Sequence, residues 1–201
     1  MDKQKKKVSI VNKYLTEGVN PLYNDNVDCY IFDFDHVVVL FDKKFAGKSV
    51  RGEFIKIMTK RKREKKDFIK CAKELGISYP EVKVMLKKLI KELIPNPKII
   101  SLLQEIKKHP NKITVLATNN SPVVVNYCLA EMELDYYFDE KFFPEMANWT
   151  WKPDRKYFMT LQNLLDIPFK RMWFIDDDKD NTNGFKMLGG NVTWYRRRKN
   201  A

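Results

Sequence analysis

The sequence predicts an α/β fold: a three-layer, Rossmann-like parallel-sheet core carrying a small helical cap. Three observations point there. From Pro97 onward, helical patterns and short apolar runs alternate regularly, as successive βα units do. The run Cys29-Tyr30-Ile31-Phe32 is apolar without interruption, which suits a strand buried on both faces of a parallel sheet. Between that strand and the next lies a stretch of helical periodicity dense in lysine and arginine.

The elements follow in chain order. Val8, Val11 and Leu15 at helical spacing, with a stop near Gly18, read as a short amphipathic helix. Residues 27–34 form the first strand, and a second apolar run covers 37–41. Gly47 and Gly52 then break the chain. Phe54, Ile55 and Met58 mark one helix; Phe68, Ala72 and Leu75 mark a second that ends at Gly76. Pro80 opens a third, carried by Val82, Met85, Leu86, Leu89, Ile90 and Leu93. Ile94-Pro95-Asn96-Pro97 reads as a stiff joint. Beyond it come a helix from Ile99 to Ile106, a strand at 113–117, a helix at 123–132 and a short strand around Phe138. A helix at 154–165, a strand at 172–175, a helix ending at Gly189-Gly190 and a strand at 192–195 complete the chain. The organisation is a core of residues 1–42 and 94–201 with a basic helical cap, residues 43–93, inserted after the first strand.

Composition narrows the function classes. A hydrophobic fraction of 44% within 201 residues supports one real core and excludes wholesale disorder. Cys29, Cys71 and Cys128 lie far apart, and there are only two histidines, so structural zinc is not expected. Scattered thiols suit a reducing compartment, the first residues lack the apolar stretch of a secretory signal, and no run reaches 18 apolar residues. These features read as a cytoplasmic protein without a membrane partner. The net charge of +12 points to anionic partners, and it is concentrated: residues 42–92 hold 17 Lys and Arg against 7 Asp and Glu.

Three polar clusters fall at the C-terminal ends of expected strands, the edge where open α/β sheets bind ligands. They are Asp33-Phe34-Asp35-His36-Val37, Thr118-Asn119-Asn120, and Asp176-Asp177-Asp178-Lys179-Asp180-Asn181. Alternation along an extended chain sends Asp33 and Asp35 toward one site. Between the last two clusters, Lys152 stands before Pro153. Carboxylates at Asp33 and Asp177, with a backbone carbonyl and water, suit Mg²⁺ in an oxygen shell. A carboxylate so placed can attack phosphorus. A second one two residues on can protonate the leaving oxygen and then deprotonate water. Thr118, the backbone N–H groups after it and Lys152 suit the phosphoryl oxygens as charge builds.

These residues, in this order, resemble the haloacid dehalogenase-like (HAD) hydrolase superfamily over residues 27–195. The first motif is YIFDFDHVV, which implies Asp33 as nucleophile and Asp35 as general acid and base. The second is ITVLATN with Thr118, the third Lys152-Pro153 (Lys156 being the alternative lysine), and the fourth WFIDDDKDN. The resemblance implies that Thr118, Asn119 and Lys152 bind the substrate phosphate and that Asp33, Asp35 and Asp177 hold Mg²⁺. Asp176 and Asn181 are supporting residues, and Asp178 and Asp180 are exposed extras. His36 stands where the family commonly has glycine, and Val37 where it commonly has threonine. The dehalogenases of the family lack the second aspartate and the acidic metal arrangement, so the chain resembles the phosphatase branch. The spacing from Asp33 to Thr118, 85 residues, implies a compact helical cap hinged at Gly47/Gly52 and Pro95/Pro97.

A basic lid above such a site favours anionic phosphorylated substrates. Phe41, Phe45, Trp149 and Trp151 are aromatic residues near the expected mouth. The leading expectation is a Mg²⁺-dependent phosphomonoesterase acting on a small phosphorylated metabolite such as a nucleotide. The alternatives are a phosphatase of nucleic-acid 3′ or 5′ ends held by the basic cap, and a non-catalytic binding protein that uses the same basic face.

Overall fold

The computed structural model describes residues 23–41 and 51–195. The opening helix, Phe45 and Gly47 lie outside the described residues. In chain order, β1 (Cys29–Phe32) and β2 (Val39–Phe41) precede three helices, α1 (Arg51–Glu64), α2 (Phe68–Glu74) and α3 (Tyr79–Glu92), and then β3 (Leu93–Pro95). There follow α4 (Pro97–Ile106), β4 (Ile113–Ala117), α5 (Pro122–Glu131), β5 (Glu140–Phe142), α6 (Arg155–Leu165), β6 (Met172–Asp176), α7 (Lys179–Lys186) and β7 (Asn191–Trp194).

Five strands pair in the order β5-β4-β1-β6-β7, every neighbour parallel. Strand β1 is central because both its faces are apolar. Tyr30 and Phe32 join the buried cluster that holds Ile99, Leu103, Val125 and Leu129 of α4 and α5. Cys29 and Ile31 join the cluster of Tyr157, Phe158, Leu161 and Phe185 from α6 and α7. Two helical layers thus sandwich the sheet, the expected α/β architecture. Each fully buried Phe or Ile contributes about 1.5–3 kcal/mol of transfer free energy, against which the entropy of ordering it must be set. Phe32 is in register with both Leu116 and Ile175. The chain therefore leaves the three central strands at one level, and the polar residues that follow them share one edge.

The helices between β2 and β3 are started by local chemistry. Asp67 caps α2 by accepting from the Lys70 N–H. Ser78 and Glu81 make a reciprocal capping box on α3, the Glu81 carboxylate accepting from the Ser78 N–H at 2.7 Å, with Pro80 in the first turn. Two expectations shift. The joint at 94–97 contains β3, which pairs antiparallel with β2, so the chain passes to and from the helices through a two-stranded ribbon. Pro95 fits there because it sits at the end of a short strand, where its missing N–H interrupts little. The strand expected around Phe138 begins at Glu140 instead. Residues Asp135–Tyr137 form a 3-10 turn, and pairing starts only when the Asp139 N–H reaches the Thr114 carbonyl at 2.9 Å.

Candidate active site

Asp33 extends β1 by one residue, its N–H donating to the Ile175 carbonyl at 2.9 Å. Its carboxylate therefore enters the polar edge beside that of Asp176, the last residue of β6. Lys152 comes from the loop between β5 and α6, through a cis Lys152–Pro153 bond. Its ammonium donates to Asp33 Oδ1 at 2.7 Å and Asp176 Oδ2 at 2.6 Å. Asp33, Lys152 and Asp176 are 8%, 3% and 0% exposed. Burial pushes the Asp33 carboxyl above the usual carboxylate range, and Lys152 only partly draws it back. Burial likewise carries Asp176 to about 6 against the pull of Lys152. For Lys152, burial favours the neutral amine, but Asp33 and Asp176 together outweigh it and hold the ammonium above the ordinary lysine value. Lys156, the alternative lysine, is exposed on α6.

One ammonium does not balance the carboxylates gathered here. Oxygens of Asp33, Asp176 and Asp177 all lie within 4.8 Å of one another. Asp176 is heavily bonded: besides Lys152, it accepts from the Asp178 N–H at 2.8 Å and from Asn181 Nδ2 at 3.0 and 3.2 Å. Asn181 thus orients the carboxylate that orients the lysine. An all-oxygen donor set with surplus negative charge suits a hard divalent cation of the Mg²⁺ type. The Asp35 carboxylate is not one of the three clustered groups; its Oδ2 accepts from Asn120 Nδ2 at 3.0 Å. Asp178 and Asp180 are exposed, Asp178 capping α7 through the Asp180 N–H.

Thr118 is buried at the end of β4, and its hydroxyl accepts from the Asn120 N–H at 3.1 Å. Asn119 does something the sequence did not suggest. Its side chain brackets the Lys152 peptide groups, accepting from the Lys152 N–H at 2.8 Å and donating to the Lys152 carbonyl at 3.0 Å. Asn120, part of the same strand-end cluster but given no task by the sequence, holds Asp35. His36 has φ 61°, a left-handed conformation that accounts for glycine being common at this turn.

A cavity of about 320 Å³ opens over these groups. Its polar floor includes Asp33, Asp35, Thr118, Asn119, Lys152 and Asp177, and its opposite wall is Phe54, Ile55, Met58 and Thr59 of α1. That wall is apolar rather than cationic. Lys60 and Lys66 are instead occupied with Glu64 and Glu74 at 2.9–3.1 Å. Among the expected aromatic residues, Phe41, Trp149 and Trp151 do not line the cavity; Phe54 does.

The sequence profile of the haloacid dehalogenase-like hydrolases matches residues 27–189. No protein of curated function matches by sequence. Among solved structures, a HAD family enzyme from Bacteroides thetaiotaomicron in complex with magnesium and inorganic phosphate superposes with a TM-score of 0.62 at 15% identity, covering 87% of this chain and 96% of that one. A predicted HAD-like family hydrolase from Porphyromonas gingivalis gives 0.63 at 16%, covering 87% and 93%. The L-2-haloacid dehalogenase of Xanthobacter autotrophicus with chloropropionic acid covalently bound gives 0.57 at 18%, covering 83% and 76%. Identities this low attest to the fold alone, whereas the profile spans all four motifs. The chain therefore belongs to the haloacid dehalogenase-like hydrolases.

Proposed function

We propose that this hydrolase is a Mg²⁺-dependent phosphomonoesterase that forms an aspartyl-phosphate on Asp33, acting on a small phosphorylated metabolite such as a nucleotide. The observation that carries this reading is the second carboxylate, Asp35, held by Asn120 beside the Lys152-bridged pair of Asp33 and Asp176. A halide departs as a stable anion and needs no proton, so dehalogenation gives Asp35 no leaving group to protonate, although its ester intermediate too must be hydrolysed. A phosphate ester must protonate its departing oxygen. The magnesium and phosphate bound by the Bacteroides thetaiotaomicron enzyme support the same choice.

In this reading Asp33 attacks phosphorus while the bond to the ester oxygen breaks, and Asp35 gives that oxygen its proton. Asp35 then takes a proton from water as the water attacks phosphorus, releasing phosphate and restoring Asp33. Thr118, the peptide N–H groups that follow it and Lys152 hold the phosphoryl oxygens. Asp33 and Asp177 would hold Mg²⁺ through their carboxylates and Asp35 through its backbone carbonyl, which leaves the Asp35 carboxyl to its proton transfers, while Asp176 is fixed on Lys152. The metal supplies positive charge that offsets repulsion between the carboxylate and the anionic ester. Helices α1, α2 and α3 act as a cap that closes the cavity against water.

The test is phosphate release, with and without Mg²⁺, from nucleoside monophosphates, sugar phosphates and end-phosphorylated oligonucleotides, beside halide release from 2-haloacids. Asp33→Asn is expected to lower turnover by at least about 10³-fold while the circular dichroism spectrum is unchanged. Turnover that survives it refutes the intermediate, and halide release in place of phosphate release refutes the ester substrate.

A further inference from the structure

Helix α1 is crowded with cations, and Lys62 and Arg63 stay at its surface, as solvated charges do. Arg61 does the opposite. It is 0% exposed, and its guanidinium reaches from the helical insert into the core. One terminal nitrogen donates to Glu145 Oε2 at 2.6 Å, the other to the Asn119 carbonyl at 3.3 Å, and the guanidinium lies 5.6 Å from the centre of the Trp149 ring. Arg61 Nε and Glu145 Oε1 are buried with no hydrogen-bond partner among the described residues. An ion pair whose arginine is fully buried, whose glutamate is 24% exposed and whose remaining polar atoms are unsatisfied is a poor device for stability. The backbone below it is strained as well: Asn148 and Trp149 have φ of 50° and 59°, and the Trp149 N–H is tied to the Pro144 carbonyl at 2.7 Å. Strain and imperfectly paired charge collected at one contact mark a functional contact rather than a packing one.

Asn119 gives this contact its consequence. Its carbonyl receives Arg61, its side chain brackets Lys152, and Lys152 bridges Asp33 and Asp176. A short chain of hydrogen bonds thus joins α1 to the carboxylate expected to attack phosphorus. We propose that Arg61 is a positioning residue for the phosphomonoesterase reaction, on which reading this inference rests: with α1 seated over the cavity, its guanidinium fixes the Asn119 peptide and, through it, the Lys152 loop. The site is then fully ordered only while the insert is seated, and withdrawal of α1 loosens Lys152.

The experiment follows hydrogen exchange and steady-state kinetics in the full chain and in Arg61→Met, Arg61→Lys and Glu145→Gln. Arg61→Met is expected to speed exchange of the Lys152 amide about tenfold or more while the amides of β1, β4 and β6 are unchanged. Its kcat is expected to fall about tenfold with KM within about twofold, and Arg61→Lys to recover part of kcat. Faster exchange confined to α1, with Lys152 unaltered, overturns the proposal, because Arg61 then merely anchors the insert. A raised KM at unchanged kcat also overturns it, because Arg61 then binds substrate. If Arg61→Met does not fold, Arg61→Lys and Glu145→Gln carry the same exchange comparison. Failure of the unaltered chain to release phosphate from any ester refutes the phosphomonoesterase reading, while the Lys152 amide still decides the link to Arg61.

Discussion

Lys152 is the residue on which the site's electrostatics turn. It stands between two carboxylates that burial drives toward protonation, and its own ammonium persists because both are there. Removing it leaves Asp33 and Asp176 buried without their counter-ion. Lys152→Met is therefore expected to cost about 3–5 kcal/mol in a metal-free urea titration. Adding Asp176→Asn to that variant should recover part of the loss, since one of the two stranded charges disappears. Equal midpoints for Lys152→Met and the unaltered chain would mean that the pair contributes nothing. The same neighbourhood shows what single residues disclose in advance. The aspartates, Thr118 and Lys152 were legible because their chemistry is local to strand ends. Asn119 was singled out for the phosphate rather than for its hold on Lys152, and the tasks of Asn120 and Arg61 were not legible, since an asparagine after a strand reads as a turn residue and an arginine in a basic helix reads as a surface charge. Only the fold, which brings residue 61 to residues 119 and 145, gives them their tasks.

At the scale of elements, the long periodic segments were readable and the short ones were not. Helices α3 and α4 and strands β1 and β4 stood out through continuous apolar pattern and capping residues. Strand β3 has three residues, two of them Ile94 and Pro95, and its pairing with β2 depends on a partner more than 50 residues away that no local window contains. Close packing between elements yields a prediction of its own. A Cβ added at Gly184 on α7 would lie 2.9 Å from the Pro153 carbonyl oxygen and 3.2 Å from Pro153 Cβ. Gly184→Ala must push α7 and the Lys152–Pro153 loop apart, at a cost of about 1–3 kcal/mol in thermal or urea unfolding. Because the displaced loop carries Lys152, phosphate release should fall by about tenfold to a hundredfold as well. Between α1 and α2, hydrogen bonds from Lys60 and Lys66 hold the Glu64 carboxyl at about 2, below its ordinary 4.5. A carboxyl that releases its proton more readily when folded stabilises the fold above its unfolded value and loses that effect as pH falls. The melting temperature of Glu64→Gln should thus lie slightly below that of the unaltered chain at pH 7. The gap should close as pH drops from about 4.5 toward about 2, and it should shrink in high salt because these groups face water.

For the whole molecule, the question is where the charge of +12 acts. Segment 42–92 carries most of it, yet the wall that α1 turns to the cavity is Phe54, Ile55, Met58 and Thr59. Lysines 83, 87, 88 and 91 of α3 are exposed, and none of them has an ion-pair partner among the described residues. The described charge thus lies on the outside of the insert, while the cavity offers an apolar wall against an anionic-substrate floor. A substrate with one phosphate and an uncharged remainder meets only the floor's charges, at short range and largely shielded from the bulk. Its kcat/KM is expected to change by less than about threefold between 50 and 200 mM salt. A polynucleotide whose end enters the cavity while about four of its phosphates lie along these four lysines would release their counterions, and its affinity should fall about 50–150-fold over the same range. Measuring both kinds of substrate at the two salt concentrations separates them. A steep slope for the oligonucleotide, together with a kcat/KM at low salt exceeding that of every small ester, would transfer the assignment to nucleic-acid ends. A shallow slope for all substrates would confine the lysines of α3 to keeping the molecule soluble, and leave the choice of substrate to Phe54, Ile55 and Met58.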